Sequence, residues 1–154
     1  MADKPWFPLF ISLEGRRVVC AGGGRIAARR VAALEPFADG VTVVSPSLDP
    51  SLVQLTDAGF VTWLARPWED GDLEGAELVL ACTNDPALNA AICDSCAARG
   101  IPANDASDRS HCAFYFPGIA RRGSAVVGVN AGGADHRLAR RLRERIQAML
   151  DGED

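Results

Sequence analysis

Gly15-Arg16-Arg17-Val18-Val19-Cys20-Ala21-Gly22-Gly23-Gly24-Arg25-Ile26-Ala27 is the stretch that decides the fold of this chain. A short apolar run, Val18 to Ala21, meets three consecutive glycines, and a helix-forming stretch follows. Strand, glycine turn and helix in that order make the cradle that a dinucleotide pyrophosphate needs. Gly22 permits the tight turn, Gly24 lets backbone approach the phosphates, and Ala27 lets the helix pack closely on the strand. The helix N-terminus then turns free N–H groups and partial positive charge toward the anion. The competing reading of the same residues is a glycine-rich structural turn.

Outward from that turn the chain alternates. Strand-like runs occupy 17–21, 41–45, 60–64, 77–82 and a stretch near 101–105, with helix-like stretches at about 25–38, 50–58 and 86–99. Such alternation predicts a Rossmann-like α/β fold, a doubly wound and mostly parallel sheet with helices on both faces. After residue 110 the character changes. Residues 113–117 and 124–129 read as two strands separated by Ile119-Ala-Arg-Arg-Gly123. A last helix, about 134–150, opens at Asp135 and carries Leu138, Leu142, Ile146 and Met149 on one stripe. Arg137, Arg140, Arg141, Arg143 and Arg145 lie largely off it, either as a solvated face or as an anion-binding one. The domain reading is 1–110 for nucleotide binding and 111–154 for a small strand-and-helix region. That region is too small to bury Phe114, Phe116, Leu138 and Leu142 alone, which predicts a homodimer paired through it.

Composition narrows the function classes. A chain of 154 residues, 48% hydrophobic and 23% charged, has the makings of one packed domain with a small appendage. A net charge of −4 gives no case for nucleic-acid binding. No apolar run approaches the roughly 18 residues of a membrane span, and the stretch Met1 to Pro8 lacks the apolar core of a signal peptide. The expectation is a cytoplasmic protein with neither nucleic acid nor membrane as partner. The five cysteines suit a reducing compartment. Cys20 and Cys82 sit in apolar strand-like runs as small buried thiols. Cys93 and Cys96 form a C-x-x-C inside a helical pattern with no second pair, so they read as packing residues rather than a metal or redox site. His111, near an acidic loop, reads either as a base or ligand or as a hydrogen-bonded structural residue. His136 falls in the first turn of the last helix, a poor place for a cation. Two histidines without an accompanying ladder of ligands make no convincing metal site.

One feature departs from an ordinary NAD dehydrogenase. The acid that holds the adenosine ribose should end the second strand, about 20 residues beyond the glycines. Here that strand ends Val44-Ser45-Pro46-Ser47. Either Ser45, Ser47 and backbone groups hold the ribose, or the chain does not bind a nucleotide. No nearby arginine makes a positive case for the NADP phosphate.

Several motifs together carry a family resemblance. They are Pro8-Leu-Phe-Ile-Ser-Leu-Glu-Gly15, the glycine turn, Val41-Thr-Val-Val-Ser-Pro46, and Ala81-Cys-Thr-Asn-Asp-Pro86 with Leu88-Asn89. Asn104, Cys112, Phe114 to Pro117, and Gly132-Gly133 before Leu138-Ala-Arg-Arg-Leu142 follow in order. The chain resembles the precorrin-2 dehydrogenase/sirohydrochlorin ferrochelatase family, the N-terminal module of siroheme synthase, in which the second strand characteristically ends without a carboxylate. The resemblance implies an NAD-binding domain followed by a dimerisation region, and oxidation of precorrin-2 to sirohydrochlorin with hydride passing to NAD⁺. It implies cofactor contacts at Gly22, Gly23, Gly24, Arg25 and Ile26, at Ser45, Pro46 and Ser47, and at Thr83 and Asn84. The substrate's carboxylates give Arg121, Arg122, Arg137 and Arg140 a purpose, since guanidinium groups match carboxylates bidentately.

Three departures qualify the resemblance. The family's favoured acid/base aspartate corresponds to Ser107 here, flanked by Asp105 and Asp108. On an extended segment Asp105 shares a face with position 107, which makes Asp105 the first candidate base, Asp108 the reserve and His111 the third. Ala113 and Ala131 replace a common aspartate and a common serine. Many members continue into a further helical domain, which this sequence is expected to lack, and independent iron insertion is therefore not expected. The alternative to an enzyme is a non-catalytic nucleotide-binding regulatory or scaffold module of the same fold.

Overall fold

The structure, a computed structural model, describes residues 4–152. It divides into two compact units. One runs from Ser12 to Phe114; the other joins the chain from Tyr115 onward with the N-terminal stretch ending at Ile11. The boundary thus falls a few residues beyond 110, and the N-terminal stretch belongs with the C-terminal unit.

The larger unit is a five-stranded parallel sheet in the order β3-β2-β1-β4-β5. Its strands are β1 (Val18–Ala21), β2 (Val41–Val44), β3 (Val61–Leu64), β4 (Leu78–Ala81) and β5 (Ala103–Asp105). Parallel strands covered on both faces read as continuous apolar runs, and every residue of β1 and of β4 is buried. Val18 registers against Val41 on one side and Leu78 on the other, and Cys20 against Val43 and Leu80. Helices α1 (Arg25–Leu34), α2 (Pro50–Asp57) and α3 (Pro86–Ala98) connect them. α1 turns Ala27, Ala28, Val31 and Leu34 inward at helical spacing. α3 adds Ile92, Cys93 and Cys96 to a core with Val19, Val44, Leu73, Val79 and Ala103. The C-x-x-C is therefore packing. Burial pushes the Cys93 thiol up to about 12 and the Cys96 thiol up to about 11, which keeps both protonated.

The smaller unit contains an antiparallel hairpin, β6 (Gly118–Arg122) and β7 (Ala125–Val129), and the helix α4 (His136–Leu150). The expected strand at 113–117 is not one. Ala113 N–H donates to the Ala103 carbonyl at 2.9 Å and the Phe114 carbonyl accepts from Asn104 Nδ2 at 2.8 Å, so this stretch is already tied to β5. Pro117 then lacks an N–H for any ladder. The segment read as a separator is itself the strand: Ile119 pairs with Gly128 and Arg121 with Val126, and Gly123, with φ of 58°, supplies the turn. Gln147 of α4 clamps the outer edge of β6, its Oε1 accepting from Arg121 N–H at 3.0 Å and its Nε2 donating to the Arg121 carbonyl at 3.1 Å. No described helix is long and apolar enough to cross a membrane.

Candidate functional site

A cleft of about 820 Å³ opens at the C-terminal ends of β1, β2 and β4, a size common for cofactor sites. It sits where the strand order reverses, between β1 and β4, the crevice at which open α/β sheets take their ligands. Gly22 to Ile26, Val44 to Asp49, Cys82 to Asp85, Leu88, Pro67 and Trp68 line it.

The three glycines answer three separate constraints. Gly22 has φ of +102°, and a Cβ there would meet the Cys82 carbonyl oxygen at 2.4 Å. Gly23 is pressed against the loop after β2, where a Cβ would stand 2.3 Å from the Ser47 carbonyl oxygen. Gly24 is the opposite case: a Cβ added to it would meet nothing within 4 Å. It is the N-cap of α1 and offers no side-chain cap. The other α-helices are capped by aspartates. Asp49 accepts from Ser51 N–H, Asp85 from Ala87 and Leu88, and Asp135 from Leu138. The first turn of α1 holds Arg25 and no acid, against the preference of the helix dipole. Helix N–H groups without a side-chain cap, and open space above a glycine, are compatible with an anionic group such as a pyrophosphate.

Of the other positions expected to contact a cofactor, Ser45, Pro46, Ser47, Thr83 and Asn84 all line the cleft. Ser45 is buried and its carbonyl accepts from Trp63 Nε1 at 2.8 Å, which anchors the end of β2. Asp49 lies in the same wall, but its Oδ1 is engaged in capping α2. Thr83 is held by the wholly buried Asn89, whose Oδ1 accepts from Thr83 N–H at 3.0 Å and from Thr83 Oγ1 at 2.6 Å. Asn89 Nδ2 donates onward to Ser107 Oγ at 3.1 Å. The fourth and fifth strand ends are thereby joined.

The acidic loop does not extend beyond β5. The strand stops at Asp105 and the chain turns at once, because Asp105 Oδ1 accepts from Ser107 N–H at 2.8 Å, Ser107 Oγ at 2.6 Å and Asp108 N–H at 3.1 Å. Its Oδ2 lies 3.0 Å from His111 Nδ1. The Asp105 side chain is fully buried while that of His111 is 35% exposed. Burial opposes ionisation of Asp105, but the bonds from Ser107, His111 and Asp108 outweigh it and hold the carboxyl below its ordinary range. His111 is shifted up, chiefly by its bond to Asp105 against some desolvation, with help from Asp108. Asp108 itself is exposed and is held low by Ser110, whose N–H and Oγ donate to it.

Arg121 and Arg122 are exposed on β6, and Arg137 and Arg140 on α4. Arg140 Nε is paired with Glu144 at 2.8 Å, and Arg122 Nη1 donates to the Leu150 carbonyl at the end of α4. Sequence reading passed over Leu48, Asp49, Trp68, Cys82, Asp85 and Leu88 as cleft residues. Asp49-Pro50 and Asp85-Pro86 are N-cap signals that fix two loops at the cleft. Trp68, in the long connection after β3, carried no signal.

A family model described as "Putative NAD(P)-binding" matches residues 9–118. The chain belongs to this NAD(P)-binding family. It is 40% identical over 143 residues to a siroheme synthase of Methylobacillus flagellatus, covering 93% of this chain and 31% of that protein. It is 38% identical over 145 residues to siroheme synthase 1 of Cronobacter sakazakii, covering 94% of this chain and 31% of the relative. The chain therefore spans 31% of the length of these curated relatives. The backbone also matches SirC, a precorrin-2 dehydrogenase, with a TM-score of 0.77 and 23% identity over 95% of this chain and 74% of SirC. The Rossmann-like fold and the family resemblance read from the residues are both borne out.

Proposed function

We propose that this chain oxidises precorrin-2 to sirohydrochlorin with NAD⁺. The observation that carries the proposal is the bare N-terminus of α1 over an open Gly24, in a chain aligned along 93% of its length with a siroheme synthase. In this reading the N–H groups of Gly24, Arg25 and Ile26 hold the pyrophosphate, Ser45 and Ser47 the ribose, and Thr83 and Asn84 the nicotinamide half. Bound NAD⁺ supplies a two-electron hydride acceptor. The chain's own residues must orient the substrate, exclude water and take the proton that leaves with the hydride. Arg121, Arg122, Arg137 and Arg140 are proposed to bind substrate carboxylates. Arg137 has the strongest claim, since the guanidinium groups of Arg121, Arg122 and Arg140 are engaged with the Gly123 carbonyl, the Leu150 carbonyl and Glu144.

The functional form is proposed to be a cytoplasmic homodimer built through the smaller unit. α4 buries none of its residues, and Leu138, Leu142 and Met149 stand exposed, as do Phe7, Leu9 and Phe10 of the N-terminal stretch. Exposed apolar surface of this kind is covered by isologous pairing in symmetric dimers. Sedimentation should give a dimer mass, and a monomer at all concentrations refutes this.

Anaerobic incubation with precorrin-2 and NAD⁺ tests the activity, with NADH and sirohydrochlorin appearing together in the absorption spectrum. One observation favours the non-catalytic alternative: Ser107 stands where related chains carry an acid/base, and its hydroxyl is spent on Asp105. NAD⁺ binding without turnover would establish that alternative.

A further inference from the structure

The loss of a carboxylate at position 107 raises the question of where the proton goes. Asp105, first candidate from sequence, is poorly suited to receive it. Its side chain is fully buried and both oxygens are occupied, Oδ1 by three donors and Oδ2 by His111. Asp108 is exposed, but its Oδ1 accepts from both Ser110 N–H and Ser110 Oγ. His111 differs from both. Its Nδ1 is fixed at 3.0 Å on the buried Oδ2 of Asp105, and Nε2 has no hydrogen-bond partner among the described residues. A carboxylate on Nδ1 selects the tautomer with the proton there and leaves the Nε2 lone pair facing outward.

His111 does not itself line the cleft but is tied to its wall. His111 lies in a short 3-10 turn, Arg109–His111, that follows β5 at the same C-terminal end of the sheet as the glycine turn after β1. β5 is hydrogen-bonded to β4, whose following loop lines the cleft, and adjacent strands are only ~4.8 Å apart. A continuous chain of contacts links the two. Thr83 in the cleft wall bonds Asn89, Asn89 bonds Ser107, Ser107 bonds Asp105, and Asp105 bonds His111. The cleft loop and the histidine are thus held in one polar network.

We infer that His111 is the proton acceptor of the dehydrogenation, with Asp105 as its positioning residue and Ser107 as the hydroxyl that orients Asp105. The inference rests on the proposed reaction. One substrate C–H bond gives up hydrogen and electron pair together to NAD⁺. The cation that remains is neutralised as a neighbouring bond to hydrogen releases its proton to His111 Nε2. The electron pair of that bond becomes the new double bond, and the products are sirohydrochlorin, NADH and one proton. Acidic groups surround the imidazole: Asp105 and Asp108 from its own segment and Asp94 from α3. Arg30 of α1 acts on the adjacent Cys112. The imidazolium is stabilised by those carboxylates, so the acid limb of the rate profile, along which activity falls as His111 becomes protonated, should lie above the ordinary histidine value of ~6.5.

The test combines kinetics and NMR on the full chain. His111→Gln, whose amide can still donate to Asp105, should keep a cooperative melt and NAD⁺ affinity, lower kcat by ~10²-fold or more, and abolish the acid limb. In Asp105→Asn the His111 ring, followed by NMR, should titrate at lower pH than in the wild type, and the limb should move with it. His111→Gln with wild-type kcat and an unchanged limb overturns the assignment while the reaction stands. His111 titrating identically in Asp105→Asn overturns the pairing. Wild-type protein that binds NAD⁺ and leaves precorrin-2 unchanged overturns the proposed reaction itself, and the role of His111 with it.

Discussion

Gly24→Val separates the cofactor reading from a purely structural one. Gly24 has φ of −85° and ψ of −166°, extended backbone that any residue adopts, and its added Cβ meets no atom within 4 Å. The fold should therefore accept valine. The cost is that of a weaker N-cap, about 1 kcal/mol or less, equivalent to a fall of about 2–4 °C in melting temperature for a chain of this size. The ligand should not accept it, because the branched side chain fills the space above the α1 N-terminus where phosphate oxygens must come. Loss of even one charge-assisted N–H···O bond is worth about 1.5–3 kcal/mol, a weakening of NAD⁺ affinity of about 10- to 150-fold. Calorimetric titration with NAD⁺ and a thermal melt on the same preparation measure both. Wild-type affinity in the variant would refute the placement of the pyrophosphate. A fall in melting temperature beyond about 10 °C would show that Gly24 is needed by the fold instead.

Other substitutions probe the frame around the site. Gly22→Ala combines a φ of +102° with a Cβ at 2.4 Å from the Cys82 carbonyl oxygen, so it should destabilise by at least about 1–3 kcal/mol in a urea titration; an unchanged midpoint contradicts the turn geometry. Leu52→Ala removes a wholly buried side chain between α2 and the sheet and should cost about 2–5 kcal/mol, read from the same titration. Asp72 is held below its ordinary range, first by its bonds from Arg66, against burial, and then by Glu69 N–H. A depressed carboxylate contributes stability above the unfolded value of ~3.9 that is lost as pH falls through the folded value, so Asp72→Asn should flatten the loss of stability below pH ~4; an unaltered acid limb excludes Asp72 as its source.

The parallel sheet was legible because its signals are local. The run Val18 to Ala21 before the glycines, the apolar stretches of β2 and β4, and Asp-Pro caps before α2 and α3 each act within a few residues. The hairpin of the smaller unit was misplaced because Phe114, Tyr115 and Phe116 look like a strand by propensity alone. Only the partners at Ala103 and Asn104 show that the backbone there is already committed.

The sequence by itself determined the α/β alternation and the glycine cradle, since strand pattern, turn glycines and helix start lie consecutively along the chain and need no distant partner. Tertiary structure decided which acid/base groups meet. The face argument for Asp105 and Ser107 presumed an extended chain, whereas four donors from Ser107, Asp108 and His111 fold the loop back onto the Asp105 carboxylate. Periodicity locates elements, but a carboxylate's partners depend on loops whose paths are set by packing across the sheet.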